Sequence, residues 1–148
     1  MKDFITETQT EFRKEIIRSL EFAAAKRHLA FLENSKYGDL YGGKSLTASW
    51  EIYDEFDPTS RAILIAKFQQ TSGTTEEKIP FEVIRALEFL SSNDNFKKVW
   101  IVLGGHGWNE NFIDFIEKRL HLWIPEMVGR VQIIVSKNEY TSTDFSNF

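Results

Sequence analysis

The chain has 148 residues, 42% of them hydrophobic and 27% charged, with a net charge of −4 and no cysteine. The length predicts a single domain over residues 1–148 with a core of its own. The negative charge excludes a general polycation that coats nucleic acid, although an acidic protein can carry a local basic patch. The lack of cysteine excludes disulfides and thiolate metal sites. No apolar run approaches the roughly 20 residues of a membrane helix, so we expect a cytoplasmic protein that does not enter the membrane.

Apolar periodicity and turn residues divide the chain into helices and strands. The pattern predicts one long helix or two abutting helices over residues 3–33, then a loop over 34–44 and strands over 46–56 and 62–70. A helix over 76–90, a strand over 98–103, a helix over 111–123, a strand over 131–135 and a polar tail that frays from 138 follow. The short turn between the first two strands predicts an antiparallel hairpin. Two helical crossovers then lead to the remaining strands. The expected fold class is α/β: a mixed central sheet that includes the hairpin, with helices on both faces.

The hairpin is expected to place several polar side chains on one face of the sheet. A turn of this length sets a register in which Glu51 lies opposite Lys67. Gln69 lies on the same face, two residues further along the second strand. Glu77 and Glu82 follow in the next helix. The sequence therefore predicts a lysine, a glutamine and several carboxylates near one another.

Clustered carboxylates are what a hard divalent cation requires. Mg²⁺ takes oxygen ligands, usually one or two carboxylates together with waters and substrate phosphate. A neighbouring lysine can orient the attacking water and neutralise charge on the phosphate. The alternative is an ordinary Glu–Lys pair across two solvent-facing strands, which contributes only about a few tenths of a kcal/mol. The spacing alone is compatible with both interpretations.

The segment from Lys67 to Pro80 resembles a known family. It consists of a strand that ends in Lys-Phe-Gln, a Gly/Ser/Thr turn, and Glu-Glu-Lys-Ile-Pro at the start of a helix. This order is similar to that of restriction-type nucleases of the PD-(D/E)xK superfamily. The matching residues are Lys67, Phe68, Gln69, Ser72, Gly73, Thr74, Glu76, Glu77, Lys78, Ile79 and Pro80. The resemblance extends over about residues 45–135, including the next apolar strand and its glycine-rich turn.

The resemblance implies a restriction-endonuclease-like fold and Mg²⁺-dependent hydrolysis of DNA. In such nucleases the first hairpin strand carries an aspartate, and the second carries an acid two residues before a lysine. Both acids bind Mg²⁺, and the lysine acts near the attacking water. Lys67 matches the lysine, but Ile65 stands at the acidic position. The first-strand acid can be Glu51, or Asp54 if the register slips.

This departure leaves two interpretations. Some members of the superfamily carry the second carboxylate on the following helix, and here Glu82 lies fifteen residues after Lys67 and Glu77 lies ten. Relocation implies Lys67, Glu51, Glu82 and Gln69 as catalytic residues, and Glu51, Glu77 and Glu82 as Mg²⁺ ligands. The alternative is a degenerate copy that keeps the fold, loses the chemistry and binds DNA or a partner subunit. An active form is expected to need a homodimer to cut both DNA strands.

Two further features have an ordinary explanation and a functional one. His106 follows an apolar strand, where α/β proteins place sites, but a turn histidine between glycines is the favoured explanation. Several basic residues on the first helix can track phosphates. A solvated helix face paired with glutamates is the favoured explanation for them. These residues are Arg13, Lys14, Arg18, Lys26 and Arg27.

Overall fold

The computed structural model of the chain describes residues 8–38, 45–71, 73, 75–135 and 137–148. These residues form a sheet and the helices that cover it. The helices are α1 (Gln9–Arg27), α2 (Thr75–Ser92), α3 (Glu110–Lys118), α4 (Leu120–Trp123) and α5 (Lys137–Ser142). The strands are β1 (Leu29–Tyr37), β2 (Leu46–Asp54), β3 (Arg61–Phe68), β4 (Phe96–Gly104) and β5 (Val131–Ile134). A short 3₁₀ helix, Pro125–Met127, precedes β5.

The strands form one mixed sheet in the order β1-β2-β3-β4-β5. β1, β2 and β3 are antiparallel neighbours, whereas β4 and β5 are parallel to β3 and to each other. The parallel pairs are joined through helices, because a parallel connection must cross over the sheet. The expected α/β fold with a mixed sheet is confirmed. Within the described residues, no helix is both long enough and apolar enough to cross a membrane.

Two cores cover the two faces of the sheet. On one face, α2 and α3 pack on side chains that alternate along β3 and β4: Ile63, Ile65, Val99, Ile101 and Leu103 from the strands, with Ile79, Val83, Ala86 and Ile116 from the helices. On the opposite face, α1 and the C-terminal segment supply Phe12, Ile16, Leu20, Tyr140 and Phe145, which pack on Trp50, Leu64 and Trp100. The helices therefore lie on both faces, as predicted.

The first prediction that fails is the length of the first helix. It ends at Arg27, because His28 adopts a left-handed conformation (φ 51°) and its amide donates to the Ala24 carbonyl. This position usually belongs to glycine, so the sequence carried no visible stop signal. Residues 29–37, predicted as helix and loop, form β1 instead. The N-cap is Thr8. The predicted start of the helix at residue 3 and the loop residues 39–44 lie outside the described residues.

The predicted hairpin register is also wrong. Glu51 lies opposite Ile63, and Tyr53 lies opposite Arg61. The connection between the two strands is therefore longer than expected, because the pairs end at Tyr53 and Arg61 and not at the predicted strand ends, residues 56 and 62. Lys67 is not the partner of Glu51. The shift is an even number of residues, so Glu51 and Lys67 still share a face of the sheet.

Two smaller corrections concern the second half of the chain. The predicted helix over residues 111–123 is interrupted at Arg119 and forms the separate helices α3 and α4. The tail predicted to fray instead contains α5, followed by Phe145, which is fully buried. Its ring lies edge-on to Trp100, with the centroids 5.0 Å apart. Aromatic residues spaced through a polar segment gave no periodic signal, although they complete one of the two cores.

Candidate functional site

Lys67 lies at the end of β3, where the strand emerges from beneath α2. Ile63 and Ile65 precede it on the same face and are buried. The Lys67 side chain is 34% exposed, and its Nζ lies 3.1 Å from Oε1 of Glu82 on α2. The strand's alternation turns the lysine toward the helix, and the helix turns Glu82 toward the sheet. The structure thus brings together the lysine of β3 and a carboxylate of α2.

Glu82 contacts a second cation, Arg85, one helical turn later. The same Glu82 Oε1 lies 3.6 Å from a terminal guanidinium nitrogen of Arg85. Glu82 is largely buried, with 12% of its side chain exposed. Within the described part of the chain, Glu82 Oε2 and Arg85 Nε are buried and have no hydrogen-bond partner. The Lys67–Glu82–Arg85 cluster therefore combines one carboxylate, two cations and two polar atoms that can still accept or donate a hydrogen bond.

Glu51 lies away from this cluster. It pairs with Ile63, four residues before Lys67 and thus about 13 Å from it along the strand direction. Both of its carboxylate oxygens are engaged: the Tyr37 hydroxyl donates to Oε1, and Arg61 donates to Oε2 over 2.6 Å. Burial, and secondarily the Glu51 carboxylate, raise the pKa of Tyr37. Through these contacts Glu51 connects β1, β2 and β3, at the end of β3 that is distant from Lys67.

Gln69 is buried and fixes the turn that follows β4. Its Nε2 donates to the Gly107 carbonyl over 2.9 Å. Its backbone amide donates to the Gly104 carbonyl, and its own carbonyl accepts from the Gly107 amide. A Cβ on Gly107 would lie 2.6 Å from backbone atoms of Thr71. Because the turn needs this close approach, Gln69 and the glycines position the backbone next to Lys67.

The other acids predicted near the site lie outside the Lys67–Glu82–Arg85 cluster. Glu77 is exposed on the first turn of α2, and its neighbour Glu76 accepts a hydrogen bond from the Asn109 amide over 2.5 Å. Asp54, the alternative first-strand acid, lies at the turn end of the hairpin. It accepts from the Phe56 amide and pairs with Arg27 over 3.2 Å. These contacts, led by the Phe56 amide, lower the pKa of Asp54.

Two ion-pair partners of the predicted site residues were absent from the sequence-based prediction. Arg85 lies three residues after Glu82, and this spacing on a helix was the signal that could have found it. Arg61, the ion-pair partner of Glu51, was assigned to the turn, so its role depended on the register that the structure corrects. His106 is exposed in the turn after β4.

The basic residues of α1 are largely paired with acids. Arg18 contacts Glu15 over 3.0 Å, and Arg13 contacts Glu33 over 3.3 Å. These contacts agree with the solvated helix face that the sequence favoured.

The comparison with protein families gives a match for most of the chain. Residues 24–134 match a family model described as PD-(D/E)XK nuclease superfamily domain. The comparisons with curated proteins and with solved structures gave no match. The matched region begins in α1, ends with β5 and contains the whole sheet together with the Lys67–Glu82–Arg85 cluster.

Proposed function

The chain belongs to the PD-(D/E)XK nuclease superfamily, and from this premise we propose that it is a Mg²⁺-dependent DNA endonuclease that hydrolyses phosphodiester bonds. The observation that carries the proposal is the 3.1 Å contact between Lys67 and Glu82. The lysine occupies the family's lysine position on β3. Glu82 takes the place of the acid that Ile65 cannot supply, because it reaches the same lysine from α2.

A cation would bind here only together with the substrate phosphate, because the Lys67–Glu82–Arg85 cluster by itself has one carboxylate and two cations. Among the described residues, no three His, Cys, Asp or Glu side chains lie together in a way that could enclose a metal ion. Mg²⁺ does not require such a cage, since it usually keeps several waters and binds one or two carboxylates plus substrate phosphate. The buried Oε2 of Glu82, which lacks a hydrogen bond, is an oxygen of the required kind. Glu82 would hold the ion, which when bound supplies positive charge against the phosphate.

The roles of the protein side chains follow from their positions. The Lys67 ammonium, oriented by Glu82, can donate hydrogen bonds to a phosphate oxygen or to the attacking water. As the water oxygen bonds to phosphorus and releases a proton to solvent, the bond to the leaving sugar oxygen breaks and that oxygen takes up a proton from solvent. Negative charge grows on the phosphate oxygens during this exchange. A cation fixed beside them stabilises that charge without having to reorganise. Gln69 contributes by holding the adjacent turn, and Glu51 contributes by holding the sheet.

A second candidate is a nuclease-fold module that binds DNA or a partner subunit without cutting. Ile65 favours it, because this side chain is buried in the core where the family places an acid. The engagement of both Glu51 oxygens also favours it, since that carboxylate is already satisfied by Tyr37 and Arg61.

Plasmid nicking separates the two candidates. Supercoiled plasmid is incubated with the protein and Mg²⁺, and we expect nicking by the wild type that Lys67→Ala abolishes. Lys36→Ala is the matched control, because Lys36 is an exposed lysine on the edge strand β1. Nicking that Lys67→Ala leaves unchanged would overturn the proposal. DNA binding without any nicking would support the inactive module.

A further inference from the structure

Two cations share a single carboxylate in the Lys67–Glu82–Arg85 cluster. Lys67 Nζ and a terminal nitrogen of Arg85 both approach Glu82 Oε1, at 3.1 Å and 3.6 Å. Among the ion pairs within the described residues, Glu82 is the one acid that contacts either cation. The cluster therefore carries one excess positive charge.

This excess positive charge is only partly solvated. The side chains of Lys67 and Arg85 are 34% and 27% exposed, so each is mostly covered by protein. Arg85 Nε is buried and, within the described chain, donates no hydrogen bond. A guanidinium has five N–H donors in a fixed plane and suits the paired oxygens of a phosphate. An uncompensated, partly desolvated cation of this kind is stabilised by an incoming anion.

From these contacts we infer that Arg85 is a phosphate-binding residue, and that Glu82 occupies the place of the phosphate's charge while the site is free of DNA. The inference deepens the proposed function, on which it rests for the identity of the anion as a DNA backbone phosphate. Glu82 then has two opposite effects. It holds Lys67 and Arg85 in place, and it competes with the phosphate for the same two cations.

Competition between Glu82 and the phosphate predicts a change in DNA affinity that a merely structural role for Glu82 does not predict. In EDTA, where no divalent cation can bind, the Glu82→Gln variant keeps the shape of the side chain and removes its charge. We expect it to bind a duplex DNA oligonucleotide about five-fold or more tightly than the wild type, because a negative charge beside the phosphate has been removed. Glu88→Gln is the matched control, since Glu88 is an exposed glutamate on the same helix and the net charge changes equally.

Arg85→Gln should act in the opposite direction. We expect about five-fold weaker binding in EDTA and a salt dependence of log K whose slope is smaller by about one, as for the loss of one phosphate contact. Arg85→Lys keeps the charge and should retain more of the affinity than Arg85→Gln. Arg119→Gln, at an exposed arginine between α3 and α4, controls for the loss of a positive charge. Circular dichroism and thermal melting establish that each variant is folded.

The outcomes are separable from those of the nicking experiment. Affinity that rises no more in Glu82→Gln than in Glu88→Gln would overturn the inference, even if the wild type nicks plasmid. So would an Arg85→Gln variant that binds like Arg119→Gln, or a wild type that does not bind the duplex in EDTA. Opposite shifts in the two variants, in a protein that never nicks plasmid, would support the inference and reject the proposed catalysis.

Discussion

Lys67 of β3 and Glu82 of α2 are fifteen residues apart in the chain, and their charged atoms lie 3.1 Å apart. The chain between them contains a glycine-containing turn and the first two turns of α2. β3 runs parallel to β4, so the intervening helix must pack back over the sheet, and that packing sets the two side chains face to face. The contact is thus a consequence of the crossover.

We predict that this ion pair contributes little to stability. Glu82 keeps a second cation, Arg85, when Lys67 is removed, so the loss of the lysine does not leave a buried carboxylate unpaired, and we expect the pair to contribute less than about 1 kcal/mol. A double-mutant cycle with Lys67→Ala and Glu82→Gln, measured by urea unfolding, should give a coupling free energy below about 1 kcal/mol. A coupling of several kcal/mol would mean that the pair mainly stabilises the fold, and that loss of nicking in Lys67→Ala reflects unfolding.

Glu51 is predicted to stabilise the folded protein. Its carboxylate is buried and accepts hydrogen bonds from Tyr37 and Arg61. Glu51→Gln leaves the Arg61 charge without its anion and should lower the free energy of unfolding by about 1–3 kcal/mol in urea titrations. The exposed neighbour Glu55 gives the control Glu55→Gln, which should have an effect within about 0.5 kcal/mol.

The same Glu51 variant tests its role in catalysis. Under conditions where the variant is fully folded, Mg²⁺-dependent nicking should remain within a few-fold of the wild-type rate. A variant that stays folded but loses nicking would restore Glu51 as a metal ligand, the role that the sequence suggested.

The sequence predicted most elements because their hydrophobic periodicity is strong. Helix α2 and the strands β2 to β5 begin and end within two residues of their predicted bounds. The missed strand β1 follows a left-handed His28, a helix stop that no glycine marks. That Lys67 shares a face of β3 with Ile63 and Ile65 was also predictable, because the alternation of side chains along one strand does not depend on the register.

The site was less predictable because it depends on distances between elements. The register determines whether Glu51 reaches Lys67, and a shift by an even number of residues preserves every face while separating the two side chains. Arg85 belongs to the cluster through helix geometry, yet only the packing of α2 on β3 shows which acid it shares with Lys67. Pattern alone cannot supply that packing.

The contacts of Asp54 predict how the free energy of unfolding changes at acidic pH. Hydrogen bonds from the Phe56 amide, together with Arg27, lower the pKa of Asp54 below its usual 3.8 in the folded protein. The folded state therefore binds the proton less readily than the unfolded chain, and the stability contributed by Asp54 is present above pH 3.8 and is lost as the pH falls through the lowered pKa. The difference in unfolding free energy between the wild type and Asp54→Asn should shrink from pH 5 to pH 3.

Urea unfolding at several pH values checks this prediction. Glu55→Gln removes one exposed negative charge from the same region and controls for the change in net charge. A difference between the wild type and Asp54→Asn that stays constant from pH 5 to pH 3 would show that the Asp54 contacts do not favour its charged form.

Phe145 is predicted to anchor the C-terminal segment to the sheet. Its side chain is fully buried, edge-on to Trp100. Phe145→Ala leaves a cavity in the core beneath α1 and should lower the free energy of unfolding by about 3–5 kcal/mol in urea titrations. Phe56→Ala is the matched control, because Phe56 is 78% exposed and its truncation should cost less than about 1 kcal/mol. Similar losses in the two variants would mean that the C-terminal segment is not part of the cooperative core.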